Sequence, residues 1–280
     1  MSEPQRFHLA GVMGWPVLHS RSPKIHGYWL QQHGLPGAYV PLEIKIENLE
    51  KALRALPALG FAGCNLTIPH KEHAVRMVDT LSPLAKHIGA VNCVVVQPDG
   101  ALHGHNYDAF GFIASIKEDQ PHWRAASGPV VVLGAGGAAR AVLAGLIDEG
   151  APGIRLINRS FERAKSLEAE FGAPIKAYRW EERAAALNGA MTLINTTSLG
   201  MDGQPSLDLA LDDLPQAAIV SDIVYIPKFT PLLTAAQRRG NAIVTGLGML
   251  LHQARPAFRD WFGVMPEVTK ELRAQIEATM

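Results

Sequence analysis

The chain has 280 residues, and its 26 Lys plus Arg balance 26 Asp plus Glu, so the formal net charge is zero. That length suits one large or two modest domains with a sizeable core, and a neutral balance gives no surplus to hold nucleic acid or an anionic membrane. No run of roughly 18 apolar residues occurs, so no transmembrane helix is expected. The opening MSEPQRFHLAGV is too short and polar for a signal peptide. Cys64 and Cys93 are the only cysteines and fall in no metal or redox spacing. They read as small buried hydrophobes, which suits a reducing cytoplasm.

In chain order, FHLAGVMG reads as a strand ending in Gly14, and SPKIHGYWLQQHG as a helix with Pro23 near its start and Gly34 just past its end. GAYVPLEI is a second strand, ENLEKALRALPALG an amphipathic helix and FAGCNLTIP a third strand. KEHAVRMVD reads as helical, and AVNCVVVQPDGALHGHN as two strands around a Pro-Asp-Gly turn. The polar, proline-punctuated EDQPHWRAASGP is a loop. Beyond it, VVVL, IRLI, MTLIN, AAIVSD and NAIV alternate with helical patterns, which implies a parallel sheet covered on both faces. The tail from Met249 reads as helical. The expected fold is α/β: an N-terminal α/β substrate domain (1–106 with 247–280) and a Rossmann-like, doubly wound dinucleotide-binding domain (107–246).

Gly134-Ala135-Gly136-Gly137-Ala138-Ala139 fits G-x-G-x-x-A between a strand and a helix, the context that gives this pattern meaning. Glycines permit a tight turn and close approach of backbone to a pyrophosphate, and the helix N-terminus supplies N–H groups and partial positive charge. NAD sites usually place a carboxylate at the end of the next strand. Here that strand ends in Asn158-Arg159-Ser160, with Arg163 one turn on. Arginine can fork onto a 2′-phosphate, so NADP is favoured over NAD.

Polar clusters stand at the ends of other expected strands: His19-Ser20-Arg21-Ser22-Pro23, Asn65 to Glu72, Ala90-Val91-Asn92-Cys93 and Asn106-Tyr107-Asp108. Strand ends are where open α/β sheets build sites. Taken singly, Ser20 or Ser22 could cap the following helix, Asp108 could be an N-cap, and Lys71 could be a solvated residue at a helix start. His70 and His73 are three apart, but no HExxH pattern exists, and no metal is expected.

Taken together, HSRSP, N-x-T-x-P-x-K-E, GAVN, N-x-D-x-x-GF, GAGGAAR, INRS with Arg163, INTTSLGM and GLGMLLHQA, in this order from about Gly11 to Gln253, resemble the shikimate dehydrogenase family. The resemblance implies NADP-dependent, reversible reduction of 3-dehydroshikimate to shikimate, a step of aromatic amino-acid (chorismate) biosynthesis, in the cytoplasm. It implies Lys71 as acid/base residue and Asp108 as its partner. A cation beside the developing alkoxide would stabilise the transition state. It further implies Ser20, Ser22 and Tyr225 for the substrate carboxylate, with Thr67 close by, and Asn92, Asp108 and Gln253 for the ring hydroxyls. On the cofactor side it implies Gly134, Ala135, Gly136, Gly137 and Ala138 for the pyrophosphate and Asn158, Arg159, Ser160 and Arg163 for the 2′-phosphate end. Asn195, Thr196 and Thr197 would lie near the nicotinamide ribose, and Ile223 and Gly246 would line the nicotinamide. The expected partner is a small-molecule substrate, with no nucleic acid or membrane, in a monomer or homodimer.

A quinate or aminoshikimate dehydrogenase of the same family is the alternative. A non-catalytic NADPH-binding regulator would be expected to lack Lys71 or Asp108, and both are present. The chain has Asn106-Tyr107-Asp108-Ala109 where the family commonly has N-T-D-G, and His105 where a small polar residue is frequent. In an extended segment Tyr107 would point away from Asp108 and pack between the domains as an aromatic spacer.

Overall fold

The computed structural model describes residues 7–280; the first six residues, which open the segment read as unlike a signal peptide, lie outside the described residues. The chain divides into two compact units, one running up to Tyr107 and resuming at Gln253–Thr279, the other formed by Asp108–His252.

Unit 1 begins with β1 (His8–Gly14), α1 (Ser22–Gln32), β2 (Gly37–Glu43), α2 (Leu49–Ala55) and β3 (Phe61–Leu66). It continues through β4 (Thr80–Leu81), α3 (Pro83–Ile88), β5 (Cys93–Val96) and β6 (Leu102–His105). The sheet order is β2-β1-β3-β5-β6-β4, with β5 antiparallel to both neighbours and the other pairs parallel.

Two local expectations change. The helix expected over ENLEKALRALPALG is cut to α2, because Pro57 has no N–H with which to extend the ladder. The segment KEHAVRMVD is not α-helical: it is a series of turns with a short 3₁₀ helix at His73–Arg76. It carries β-branched Val75 and Val78, and its end is drawn out as strand. Asp79 N donates to Leu102 O at 2.9 Å and its carboxylate accepts from Leu102 N at 2.7 Å, so Thr80 and Leu81 pair with β6. Helix α3, absent from the sequence reading, has Pro83 in its first turn and a Ser82 cap accepting from Ala85 N at 3.2 Å.

Unit 2 runs α4 (Asp108–Asp119), β7 (Val130–Leu133), α5 (Gly137–Asp148), β8 (Ile154–Ile157), α6 (Phe161–Phe171), β9 (Ile175–Tyr178), β10 (Thr192–Asn195), β11 (Ile219–Asp222), α7 (Pro231–Arg238) and β12 (Ala242–Val244). Its sheet is wholly parallel in the order β12-β11-β10-β7-β8-β9. Alternate residues of one strand face opposite sides. Val130 and Val132 pack with Phe112, Val142 and Leu146, whereas Val131 and Leu133 pack with Leu193, Val220 and Leu233. Helices therefore cover both faces, as the near-continuous apolar strands predict. The order of strand addition reverses between β7 and β10, the place where such sheets open a crevice for a ligand.

Helix α8 (Gly246–Phe262) starts in unit 2 and ends in unit 1, and α9 (Lys270–Glu277) closes unit 1. In unit 1, α8 supplies Phe258 and Trp261 to an aromatic layer with His26, Trp29 and Tyr39. The His26 ring lies flat on Tyr39 at 4.0 Å and is fully buried, with neither nitrogen hydrogen-bonded. Burial alone lowers its pKa to about 3, so it is a neutral packing ring. The opposite core holds Met13, Leu49, Leu53, Cys64, Leu66 and Val94. Cys64 and Cys93 are fully buried free thiols, as read, and burial pushes both upward in pKa.

Candidate active site

In unit 2 the glycine turn leaves β7 at the switch point. Gly134 N donates to Ile157 O at 2.8 Å, and its φ of +110° is one that side chains rarely adopt. A Cβ on Gly134 would also lie 2.5 Å from Thr196 Oγ1, so the turn after β7 and the loop after β10 touch only because this residue is glycine. A Cβ on Gly136 would meet nothing within 4 Å. The turn thus offers open space in front of its backbone. Helix α5 begins at Gly137 with Ala138 in its first turn, no side-chain cap and no acidic residue there. That combination fits a pyrophosphate. Ala135 is buried behind the turn.

At the end of β8, Asn158 Nδ2 donates to Ser160 O at 2.9 Å, and Ser160 is the N-cap of α6. Arg159 and Arg163 flank that cap and are exposed. Asn195, which ends β10, is fully buried, and its carboxamide is used within the unit. Its oxygen accepts from Thr197 N at 3.0 Å and Thr197 Oγ1 at 2.7 Å; its nitrogen donates to Leu199 O at 3.1 Å and Asp222 Oδ1 at 3.0 Å. Asn195 shapes the 195–199 loop. Thr196 Oγ1 donates to Leu133 O at 2.6 Å, tying that loop back to β7. Ile223 N donates to Asn195 O at 3.1 Å, and a Cβ on Gly246 would lie 2.3 Å from Ile223 O. Glycine at 246 is thus what lets α8 start against the chain leaving β11. Tyr225, half-buried, lies two residues further along that chain.

In unit 1 the topology gathers the other residues at one end of the sheet. Ser20 and Ser22 follow β1, Thr67 follows β3, and Asn106 follows β6, all at carboxyl ends of strands pointing the same way; Asn92 precedes the antiparallel β5 and so reaches the same end. Ser20 Oγ accepts from Ser22 N at 3.3 Å, and Ser22, buried, is the first residue of α1. Thr67 N donates to Met13 O at 3.0 Å, which joins the ends of β1 and β3. Lys71, half-buried, has its carbonyl held by Val91 N at 2.8 Å. Asn92 Nδ2 donates to Gln253 Oε1 at 3.3 Å. His70, one residue before Lys71, is buried with Nε2 2.7 Å from Ile44 O, a structural contact. Asp108 is 3% exposed and opens α4, where the helix start favours an anion.

Residues 12–94 match the family model of the shikimate dehydrogenase substrate binding domain, and residues 117–200 that of shikimate / quinate 5-dehydrogenase. The shikimate dehydrogenase (NADP(+)) of Paramagnetospirillum magneticum is 58% identical over 266 residues, 95% of this chain and 96% of that protein. The chain belongs to the shikimate dehydrogenase family. The crystal structure of the Thermus thermophilus shikimate 5-dehydrogenase in complex with NADP(H) and shikimate matches with a TM-score of 0.85 and 36% identity, covering 97% of this chain and 98% of that one. A quinate dehydrogenase from Corynebacterium glutamicum in complex with NAD matches with a TM-score of 0.88 and 28% identity, covering 98% and 99%. The two substrates thus occur on nearly the same backbone, and side chains must separate them.

Three features of this member of the shikimate dehydrogenase family were not assigned from its sequence. Tyr39 OH donates to Asn65 Oδ1 at 2.7 Å, and Asn65 Nδ2 donates to Asn92 O at 2.9 Å, so a buried chain braces Asn92 from behind. Tyr107, expected as a spacer, instead donates its hydroxyl to Asp260 on α8 and stacks its ring on His105, both inside unit 1. Asp222 is fully buried and accepts from Asn195 Nδ2, Val224 N and, at 2.7 Å, Thr230 Oγ1. Asn65 stood in a quoted motif and Asp222 at the end of an expected strand; Asp260 carried no local signal.

Burial pushes the Asp222 carboxyl up to about 6, against those three hydrogen bonds, which favour the anion. A pKa raised by folding contributes stability that is fully present below the unfolded value near 4 and is lost as pH rises through about 6. Asp222→Asn is therefore expected to remove a slope of about 2–3 kcal/mol between pH 4 and 7. Urea melts of both proteins at the two pH values check this: wild type should lose ground to the variant on going to pH 7. An unchanged difference would show that Asp222 stays ionised throughout.

Proposed function

We propose that the chain catalyses the reversible, NADP-dependent reduction of 3-dehydroshikimate to shikimate. The observation that carries this reading is the convergence of two serine hydroxyls, Thr67, Lys71 and the Asn92–Gln253 carboxamide pair at one end of the unit 1 sheet. Such a set suits a small carboxylate decorated with hydroxyls. Ser20, Ser22 and Tyr225 take the carboxylate; Thr67 lies beside them. Asn92, Asp108 and Gln253 read the ring hydroxyls, and a site built to pair hydroxyls rejects analogues that leave its polar groups unpaired.

NADPH, when bound, supplies the hydride for the ring carbonyl carbon. Gly134, Ala135, Gly136, Gly137 and Ala138 hold its pyrophosphate, Asn158, Arg159, Ser160 and Arg163 its 2′-phosphate end, and Thr196, Thr197, Ile223 and Gly246 border its nicotinamide end. Asn195 acts by shaping the 195–199 loop. Lys71 gives the proton to the carbonyl oxygen and steadies the developing alkoxide; Asp108 is its charge partner. Unit 1 is then the substrate-binding part and unit 2 the NADP-binding part, in a protein of the reducing cytoplasm, which its two buried thiols suit. Among the described residues, no helix is long and apolar enough to cross a membrane.

Absorbance at 340 nm with shikimate or quinate, each offered with NADP or NAD, tests the reading. Shikimate with NADP should give the highest kcat/KM. Faster turnover of quinate would replace the substrate, and the absence of turnover with all four pairs would defeat the enzymatic reading.

A further inference from the structure

Helix α8 meets the end of the unit 1 sheet twice. Gln253 Oε1 accepts from Asn92 Nδ2 at 3.3 Å, and Asp260 Oδ2 accepts from the Tyr107 hydroxyl. The two residues share a helix face by their i, i+7 spacing. Tyr107 closes the circuit with its own backbone, because its N–H donates to Asn92 Oδ1 at 2.8 Å. Asp260 is fixed in turn: its other oxygen accepts from Arg259 Nε at 3.0 Å and Nη2 at 2.7 Å. The Tyr107 ring lies against His105 at 5.4 Å and 15°. Burial, with the carboxylate beside it, holds the phenol well above its ordinary pKa, so it stays a donor.

A carboxamide presents an acceptor on one side and a donor on the other, and its partners decide which way it faces. The Tyr107 N–H accommodates only the Asn92 oxygen, so Asn92 Nδ2 must turn to Gln253. We propose that Tyr107 and Asp260 are positioning residues: the phenol–carboxylate pair holds the backbone of Tyr107 where it fixes the Asn92 carboxamide, and through it Gln253, toward the hydroxyls of the substrate. The inference rests on the shikimate reading of Asn92 and Gln253 given above.

Tyr107→Phe keeps the ring and its stacking and removes only the hydroxyl. KM for shikimate should rise about tenfold, the scale of one lost charge-assisted hydrogen bond, with kcat within about twofold and KM for NADP unchanged. Asp260→Ala should reproduce this split. Asp260→Asn keeps an oxygen to accept from the phenol and should restore KM to near the wild-type value. Asn92→Ala, measured in parallel, separates the failures. If it raises KM for shikimate while Tyr107→Phe does not, the positioning pair is overturned and the functional reading stands. If wild type does not oxidise shikimate, or Asn92→Ala leaves KM unchanged, the reading of that residue fails and the inference falls with it. A uniform loss of kcat with all substrates and a lowered Tm would mark a merely structural contact and also overturn the proposal.

Discussion

Lys71→Ala is expected to lower kcat for shikimate oxidation about 100-fold or more, with KM for shikimate moved only a few-fold. The scale is that of a positioned acid–base group, ~10²–10⁴ in rate. Reduction of a ketone puts negative charge on its oxygen, and a cation placed there interacts more strongly with the transition state than with the ground state, which is the condition for an effect on kcat rather than on KM. The backbone supports such a role. Lys71 O is held by Val91 N at 2.8 Å, so the residue that carries the amine is anchored to the segment that carries Asn92. Alanine leaves that backbone bond in place, and the variant should fold with a Tm close to wild type. Steady-state kinetics in both directions check the expectation; near-normal turnover would remove Lys71 from the chemistry.

Arg159→Ala is expected to cut the preference for NADP over NAD, expressed as the ratio of kcat/KM values, by about 10- to 150-fold. The range follows from about 1.5–3 kcal/mol for one charge-assisted contact to the 2′-phosphate. The loss should fall on KM for NADP, and KM for NAD should barely change because NAD lacks that phosphate. Arg159 sits exposed two residues after the end of β8, immediately before Ser160, the N-cap of α6. In the proposed role, a planar guanidinium there would be the counterpart of the acidic residue that NAD-specific sites place on the ribose. Equal changes in the two Michaelis constants would show that Arg159 is only a solvated surface residue.

What could be read from the sequence was local. The glycine turn was legible because its signal, an apolar strand, three glycines and a helical run, lies within one short stretch, and the structure places β7, Gly134 and α5 in that order. The parallel sheet of unit 2 followed from near-continuous apolar strands separated by helices. Segments whose state depends on distant partners were misread. The chain after Lys71 has helical composition, yet its end pairs with β6 through Asp79 and Leu102. The same limit applies to the site. Ser20, Ser22, Thr67, Lys71 and Asn92 announced themselves in motifs, and strand topology brings them to one end of a sheet. Asp260 lies 153 residues from Tyr107 in sequence, and nothing near either residue names the other. The motif around Asn195 gives no sign of the hydrogen bonds its carboxamide makes to Thr197, Leu199 and Asp222, because Asp222 lies on another strand.

Unit 1 is assembled from two pieces of chain, and this sets an order of events at the ribosome. Asp108–His252 is one uninterrupted stretch that carries both of its own cores. The aromatic layer of unit 1 is divided. His26, Trp29 and Tyr39 are among the first residues synthesised, and the Phe258 and Trp261 that cover them are among the last. Until α8 arrives, the nascent protein carries an open face of rings beside a sheet already able to pair. A chain truncated short of Phe258 is therefore the form most exposed to aggregation and to capture by chaperones, although both cores of unit 2 lie wholly within it.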